Sequence, residues 1–271
     1  MKRILILICM VTAFVFPASA EEDMSIWDVI EINTEDAVEA VPLATEAPLP
    51  ALDVQPTEAA NPAREDFINR IIEQGHDLFI KANGKSQRAH YSGDIYVCKN
   101  FTTYLFRENR DDFCMAEYPE VQLRIPNNLP RADCRPYAYG LAWEEIPASE
   151  GNPFYEAASF RYNKELSEAE NFALACEFMR QAQRGDFFQM SAQYEYGTGA
   201  HSAIMLGYNA ETDEIHWMDS NMRGGKKNGI RYGLVQYDEV KSVEWWAKAF
   251  CLKTRGATLY RLRDDIAYRE E

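Results

Sequence analysis

The apolar residues of this chain follow a helical spacing first and a strand spacing afterwards, and this order constrains the fold more than any other feature. One predicted helix runs from Arg64 to a stop at Asn83-Gly84, and its apolar face carries Phe67, Ile68, Ile71, Ile72, Leu78 and Phe79. A second helix is predicted from about residues 96–98 to about Asn109. A third begins at the capping box of residues 167–170 and continues to about Arg184, where Gly185 ends it.

The later part of the chain has the alternation and the turn residues that are typical of β-strands. The predicted strands are 186–194, 201–208, 214–219, 230–237 and 257–263, with one helix over 239–250. Helices followed by hairpin-connected strands favour an α+β domain, in which N-terminal helices pack on a C-terminal antiparallel sheet.

The first 20 residues have the three parts of a secretory signal peptide: a basic start at Lys2 and Arg3, the apolar run 4–16, and the small residues of 18–20. This apolar run is too short to cross a bilayer, which needs about 20 residues. The sequence therefore predicts export with cleavage after Ala20, and no stable membrane insertion afterwards.

The composition divides the rest of the chain into a linker and a folded domain. Residues 21–66 hold 13 acidic side chains and one basic side chain. Residues 21–63 are also rich in proline and poor in large apolar groups, which predicts an acidic, disordered linker. The folded domain is expected over 64–271, with a weakly periodic insertion at about 110–165.

The net charge argues against nucleic acid as a partner, and the cysteine count leaves one thiol without an intramolecular partner. The formal net charge of −15 argues against a nucleic-acid groove, because that affinity comes largely from lysine and arginine. Five of the six cysteines remain after the signal peptide. An odd number in an exported protein suggests a reactive thiol or intermolecular pairing.

Cys98 and His201 are the first candidates for chemistry. Cys98 is predicted at a helix N-terminus, after a possible cap in residues 92–94, where the positive end of the helix favours a thiolate. A small buried residue on the inner helix face is the alternative for Cys98. His201 follows the loop predicted at 197–199 and opens a strand, where it could be a general base or only a polar edge residue.

The side-chain alternation of the next strand distinguishes between two hypotheses, a metal site and a nucleophilic site. Because side chains alternate along a strand, Asp219 and Asn221 share a face with Trp217, whereas His216 points to the other face. A zinc site built from His201, His216 and Asp219 is therefore disfavoured, and the sequence predicts no metal and no cofactor. A nucleophilic site does not require His216. It needs only Cys98 as nucleophile, His201 as base, and Asp219 or Asn221 to orient the histidine.

These residues lie in segments that resemble the papain-like peptidoglycan hydrolases of the NlpC and CHAP kind. The segments are 91–101 (YSGDIYVCKNF), 184–188 (RGDFF), 201–207 (HSAIMLG) and 218–221 (MDSN). Those families have a cysteine at a helix start, a Gly-Asp turn into a strand, a histidine that opens the next strand and an acid-x-Asn on the strand after it. The chain departs from them at Lys99-Asn100, where many NlpC-type domains have Ser-Gly, and at Asp219, where CHAP domains more often have Glu.

The resemblance implies a papain-like cysteine peptidase or amidase with Cys98 as nucleophile, His201 as base, Asp219 as orienting acid and Asn221 assisting. The Cys98 N–H is expected to stabilise the oxyanion, together with a second donor from Tyr91, Ser92 or Tyr96. The leading substrate is the peptide of bacterial peptidoglycan. The alternatives are a secreted protease or transamidase that acts on proteins and a non-catalytic peptide-binding module.

Overall fold

The computed structural model describes residues 61–85, 87–89, 97–126, 128–129, 142–143, 146–194, 197–222, 231–253 and 255–270. All of them belong to one compact unit of the chain. The predicted signal peptide, the predicted linker up to residue 60 and Cys134 lie outside the described residues.

Within that part of the chain there are four α-helices. They are α1 (Pro62–Ala82), α2 (Cys98–Asn109), α3 (Glu168–Met179) and α4 (Val243–Phe250). The first helix starts where Asn61 accepts hydrogen bonds from the backbone N–H groups of Ala63 and Arg64, and it ends at Asn83 in the left-handed conformation. No helix of the described residues is long and apolar enough to cross a membrane.

Seven of the described strands form one antiparallel sheet, in the order β1-β9-β8-β7-β6-β10-β5. Its members are β1 (Gln87–Ala89), β5 (Phe154–Arg161), β6 (Phe187–Tyr194), β7 (Gly197–Asn209), β8 (Glu214–Met222), β9 (Arg231–Ser242) and β10 (Arg255–Leu262). Two small sheets pair β2 (Phe113–Met115) with β11 (Ile266–Tyr268), and β3 (Asn128–Leu129) with β4 (Ala142–Trp143). The prediction of a mixed α+β fold with an antiparallel sheet is confirmed.

The predicted separation of helices and strands along the chain is wrong. Only α1 and α2 precede the main run of strands, and α3 lies between β5 and β6, whereas α4 lies between β9 and β10 as predicted. The strand that changes this order is β5, which pairs with β10 at the sheet edge. It belongs to the segment predicted as an insertion, so that segment contributes one strand of the main sheet.

The sheet has apolar contacts on both faces, and β6 shows this clearly. Phe187 joins the core cluster that includes Phe67 of α1 and Phe101 of α2. The next residue, Phe188, packs edge-on against Trp246 of α4, with ring centroids 5.0 Å apart. Burying each such ring contributes about 1.5–3 kcal/mol. The packing holds α2 against β7 and β8, the two strands that carry the candidate site.

Candidate active site

Cys98 is the first residue of α2, as the sequence predicted. The helix is held there by its buried face, which consists of Phe101, Thr102, Leu105 and Phe106. The cap residue is Val97, which offers no side-chain hydrogen bond to the helix, and the cap predicted from residues 92–94 lies outside the described residues. Backbone N–H groups in the first turn of a helix lack partners within the helix and favour an anion, and the half-buried Cys98 lies at this position.

The surroundings of Cys98 favour the thiolate. Burial alone would raise the pKa of its thiol. A hydrogen bond with His201, the charge of that imidazole and the backbone N–H groups of Ser202 and Lys99 more than offset burial, and the pKa lies below the ordinary value. Helix start and histidine therefore act on the same sulfur.

His201 lies inside β7 and not at its mouth, which corrects the sequence prediction. The strand already begins at Gly197, because β6 continues to Tyr194 and pairs with the segment that was predicted as a loop. His201 pairs with Met190 across the ladder and is 1% exposed. Pairing with β6 holds the backbone of His201 more firmly than a loop would, and so restricts the imidazole.

His201 and Asp219 form a buried pair between neighbouring strands. The His201 Nε2 atom lies 2.9 Å from Asp219 Oδ2, and the Trp217 indole N–H donates to the same oxygen over 3.2 Å. Since Nε2 faces Asp219, Nδ1 is the ring nitrogen that remains for the Cys98 thiol. Burial lowers the pKa of His201, but its hydrogen bonds and charge interactions with Asp219 and Cys98 raise that pKa to about 9.

The lowered pKa of Cys98 and the raised pKa of His201 both favour a thiolate–imidazolium pair. Such a pair can attack an electrophilic carbon and then supply a proton. The sequence-predicted residues Cys98, His201 and Asp219 are thus brought together. Asn221 lies two residues further along β8, opposite Leu234, and its side chain is outside the described part of the structure.

Two register irregularities surround this part of the sheet. One lies in β7 between Met205 and Gly207, and the other lies opposite the Trp217–Asp219 stretch of β8, where Asp238 of β9 has a φ of 53°. Bulges re-aim side chains and are common beside active sites.

His216 faces away from the site, as the strand alternation predicted. Its Nδ1 atom lies 2.7 Å from Asp238 Oδ1, whereas Trp217 and Asp219 contact each other on the opposite face of β8. Among the described residues, no three His, Cys, Asp or Glu side chains converge into a group that could hold a metal ion.

Two contributors to the site were missed in the sequence. Trp217 had a usable signal, because it stands two residues before Asp219 and the strand period places both on one face. Ser202 had none, because it acts through its backbone N–H, which every residue but proline carries. Tyr91, Ser92 and Tyr96, which compete in the sequence for the second oxyanion donor, lie outside the described residues.

The other described cysteines are not part of the site. Cys114, Cys176 and Cys251 carry free thiols. Burial raises the pKa of all three. Cys98 is the described cysteine whose pKa is lowered.

Comparisons of the chain with protein-family models, with curated proteins and with solved structures found no match.

Proposed function

We propose that the protein is an exported, papain-like cysteine hydrolase that cleaves amide or peptide bonds, with the peptide of bacterial peptidoglycan as its leading substrate. The observation that carries the proposal is the hydrogen-bonded series from the Cys98 thiol through His201 to Asp219. The peptidoglycan assignment is supported by the resemblance of the segments around these residues to the NlpC and CHAP hydrolases.

In the proposed reaction the Cys98 thiolate attacks the carbonyl carbon, and the electron pair of the C=O bond moves to the oxygen. The backbone N–H of Cys98 at the start of α2 is the donor expected to stabilise that oxyanion. When the tetrahedral intermediate collapses, the C–N bond breaks and His201 gives its proton to the leaving amine. Water, deprotonated by His201, then hydrolyses the thioester and releases the acid and the thiolate.

Asp219 keeps the imidazole in one orientation throughout this cycle. Its contact with Nε2 directs Nδ1 to the sulfur and stabilises the positive ring after it takes up a proton. Trp217 holds the same carboxylate oxygen from the side.

The test is digestion of purified peptidoglycan by the wild type and by Cys98→Ala, with the released fragments identified by mass spectrometry. We expect new amine and carboxyl ends with the wild type and a loss of at least 10³-fold with Cys98→Ala, about the scale at which loss of a nucleophile is felt. Cys176→Ala is the matched control, because Cys176 is buried in α3 away from the site, and it should retain activity.

Equal release by the wild type and Cys98→Ala would reject the proposal. A panel of denatured proteins, digested in parallel, tests the alternative substrate class, since cleavage there without cleavage of peptidoglycan indicates a protease. Binding of cell-wall peptides without cleavage of either substrate indicates a peptide-binding module.

A further inference from the structure

One oxygen of Asp219 has no hydrogen-bond donor within the described part of the chain. Asp219 is 1% exposed, and its Oδ2 atom receives both the His201 and the Trp217 contacts. Its Oδ1 atom is buried and has no partner among the described residues. Leaving a buried acceptor unsatisfied costs about 1–3 kcal/mol, and more for a charged group.

A second unsatisfied acceptor lies directly across the ladder. Gln236 of β9 is the register partner of Asp219, is 4% exposed, and has a buried Oε1 atom without a partner in the described part of the chain. Side chains that are opposite each other in an antiparallel pair have Cβ atoms about 4.5–5.5 Å apart. A glutamine side chain is long enough for its amide to contact an aspartate carboxylate across this distance.

A half-turn of the Gln236 amide would turn a donor, in place of an acceptor, towards Asp219. The oxygen and the NH₂ of an amide have nearly the same shape, so half a turn of the Gln236 amide replaces an acceptor by a donor without changing the packing. No hydrogen bond of that amide within the described residues is broken by the turn.

We propose that the Gln236 side-chain NH₂ donates to Asp219 Oδ1 and makes Gln236 a positioning residue of the His201–Asp219 pair. The carboxylate is then held at both oxygens, with Trp217 and His201 on one and Gln236 on the other. This role rests on the proposed function only for its benefit to catalysis. The contact itself does not depend on any reaction.

The experiment is an NMR titration of the His201 imidazole in the full chain, with the signal assigned by a His201→Gln variant. The titratable groups that act on this ring are Asp219 and Cys98, and the wild-type midpoint is expected at about 9. In Gln236→Met, which keeps the length and removes the donor, the negative charge of the Asp219 carboxylate is neutralised less and favours the imidazolium more. We expect the midpoint to rise by roughly one pH unit, which is tenfold in proton affinity.

The matched control is Thr258→Val in β10 of the same sheet, which removes another buried side-chain oxygen that has no partner in the described ranges. This variant should leave the His201 titration unchanged. If Gln236→Met folds like the wild type and titrates at the same or a lower pH, the proposal is wrong.

A measurement on the wild type keeps the test valid if Gln236→Met fails to fold. A donor to a carboxylate shifts one Gln236 amide proton downfield of solvent-exposed glutamines, whereas an unshifted pair of amide signals overturns the contact. Neither readout uses hydrolysis, so failure of this inference and failure of the proposed function are distinguishable.

Discussion

At the scale of single residues, the charge state of Cys98 is the property that can be measured most directly. Its pKa is lowered, so the thiolate persists as the pH falls below the ordinary thiol value and is lost only at the lower pKa. We expect iodoacetamide to alkylate Cys98 faster than an ordinary thiol at pH 6–7, where a thiol with a pKa of about 8.5 is largely protonated. Peptide mapping by mass spectrometry after timed quenching gives the rate at each site.

Cys251 is the internal reference for this experiment, because it is half-buried like Cys98 and burial raises its pKa. Its alkylation should become significant only at higher pH. His201→Ala should slow Cys98 alkylation at pH 6–7 by about tenfold or more, since it removes the hydrogen bond and charge that favour the thiolate. Equal rates at Cys98 and Cys251 across this pH range would contradict the thiolate–imidazolium pair.

The sequence was sufficient to predict that Cys98 starts a helix and that Asp219 and His216 lie on opposite faces of β8, because a helix start and strand alternation are local properties. It was not sufficient for Gln236. The partner of Asp219 across the ladder depends on the register between β8 and β9, and that register shifts at an extra residue next to Asp238. No local pattern in the sequence marks that shift.

At the scale of elements, one ion pair joins the turn before β6 to strand β10. Arg261 contacts both oxygens of the fully buried Asp186, at 2.8 and 2.7 Å, and also donates to the Gln181 carbonyl. Arg261→Met should destabilise the protein by about 3–5 kcal/mol, because it leaves an unpaired buried carboxylate. Urea unfolding followed by circular dichroism measures the change.

The double variant Asp186→Asn/Arg261→Met supplies the control for this prediction. It removes the charge that the single variant leaves behind, so it should recover a substantial part of the lost stability. A double variant that is less stable than Arg261→Met would show that the cost does not come from the unpaired carboxylate.

The boundary between β9 and α4 shows why element limits were harder to predict than element types. Residues 239–242 were predicted as the start of a helix, but they extend β9, and Ser242 caps α4 by accepting from the Trp245 N–H. Pairing of Val240 with His216 decides the outcome. Such a contact between distant parts of the chain outweighs a weak local preference.

At the scale of the whole molecule, the start of α1 is held by contacts with residues near the C-terminal end of the described chain. Asn61 caps α1, and its amide also donates to the carbonyl of Ile266, 2.7 Å away, while Arg64 donates to the Leu262 carbonyl. We expect a variant that begins at residue 61 to keep the melting temperature and the Cys98 alkylation rate of a chain that begins at residue 21. Differential scanning calorimetry and the alkylation assay check this, and a melting temperature lowered by more than about 4 °C, roughly 1–2 kcal/mol for a domain of this size, would refute it.

The contact of Asn61 with Ile266 also brings the two ends of the described chain side by side. The Tyr268 hydroxyl donates to the Pro62 carbonyl from the same neighbourhood. Adjacent ends make a fold suitable for circular permutation, because a short peptide can join them and new ends can be opened elsewhere. The tight connection at 210–213 between β7 and β8 is a natural place to open it, and a permuted chain would carry His201 and Asp219 near opposite ends while keeping them on neighbouring strands.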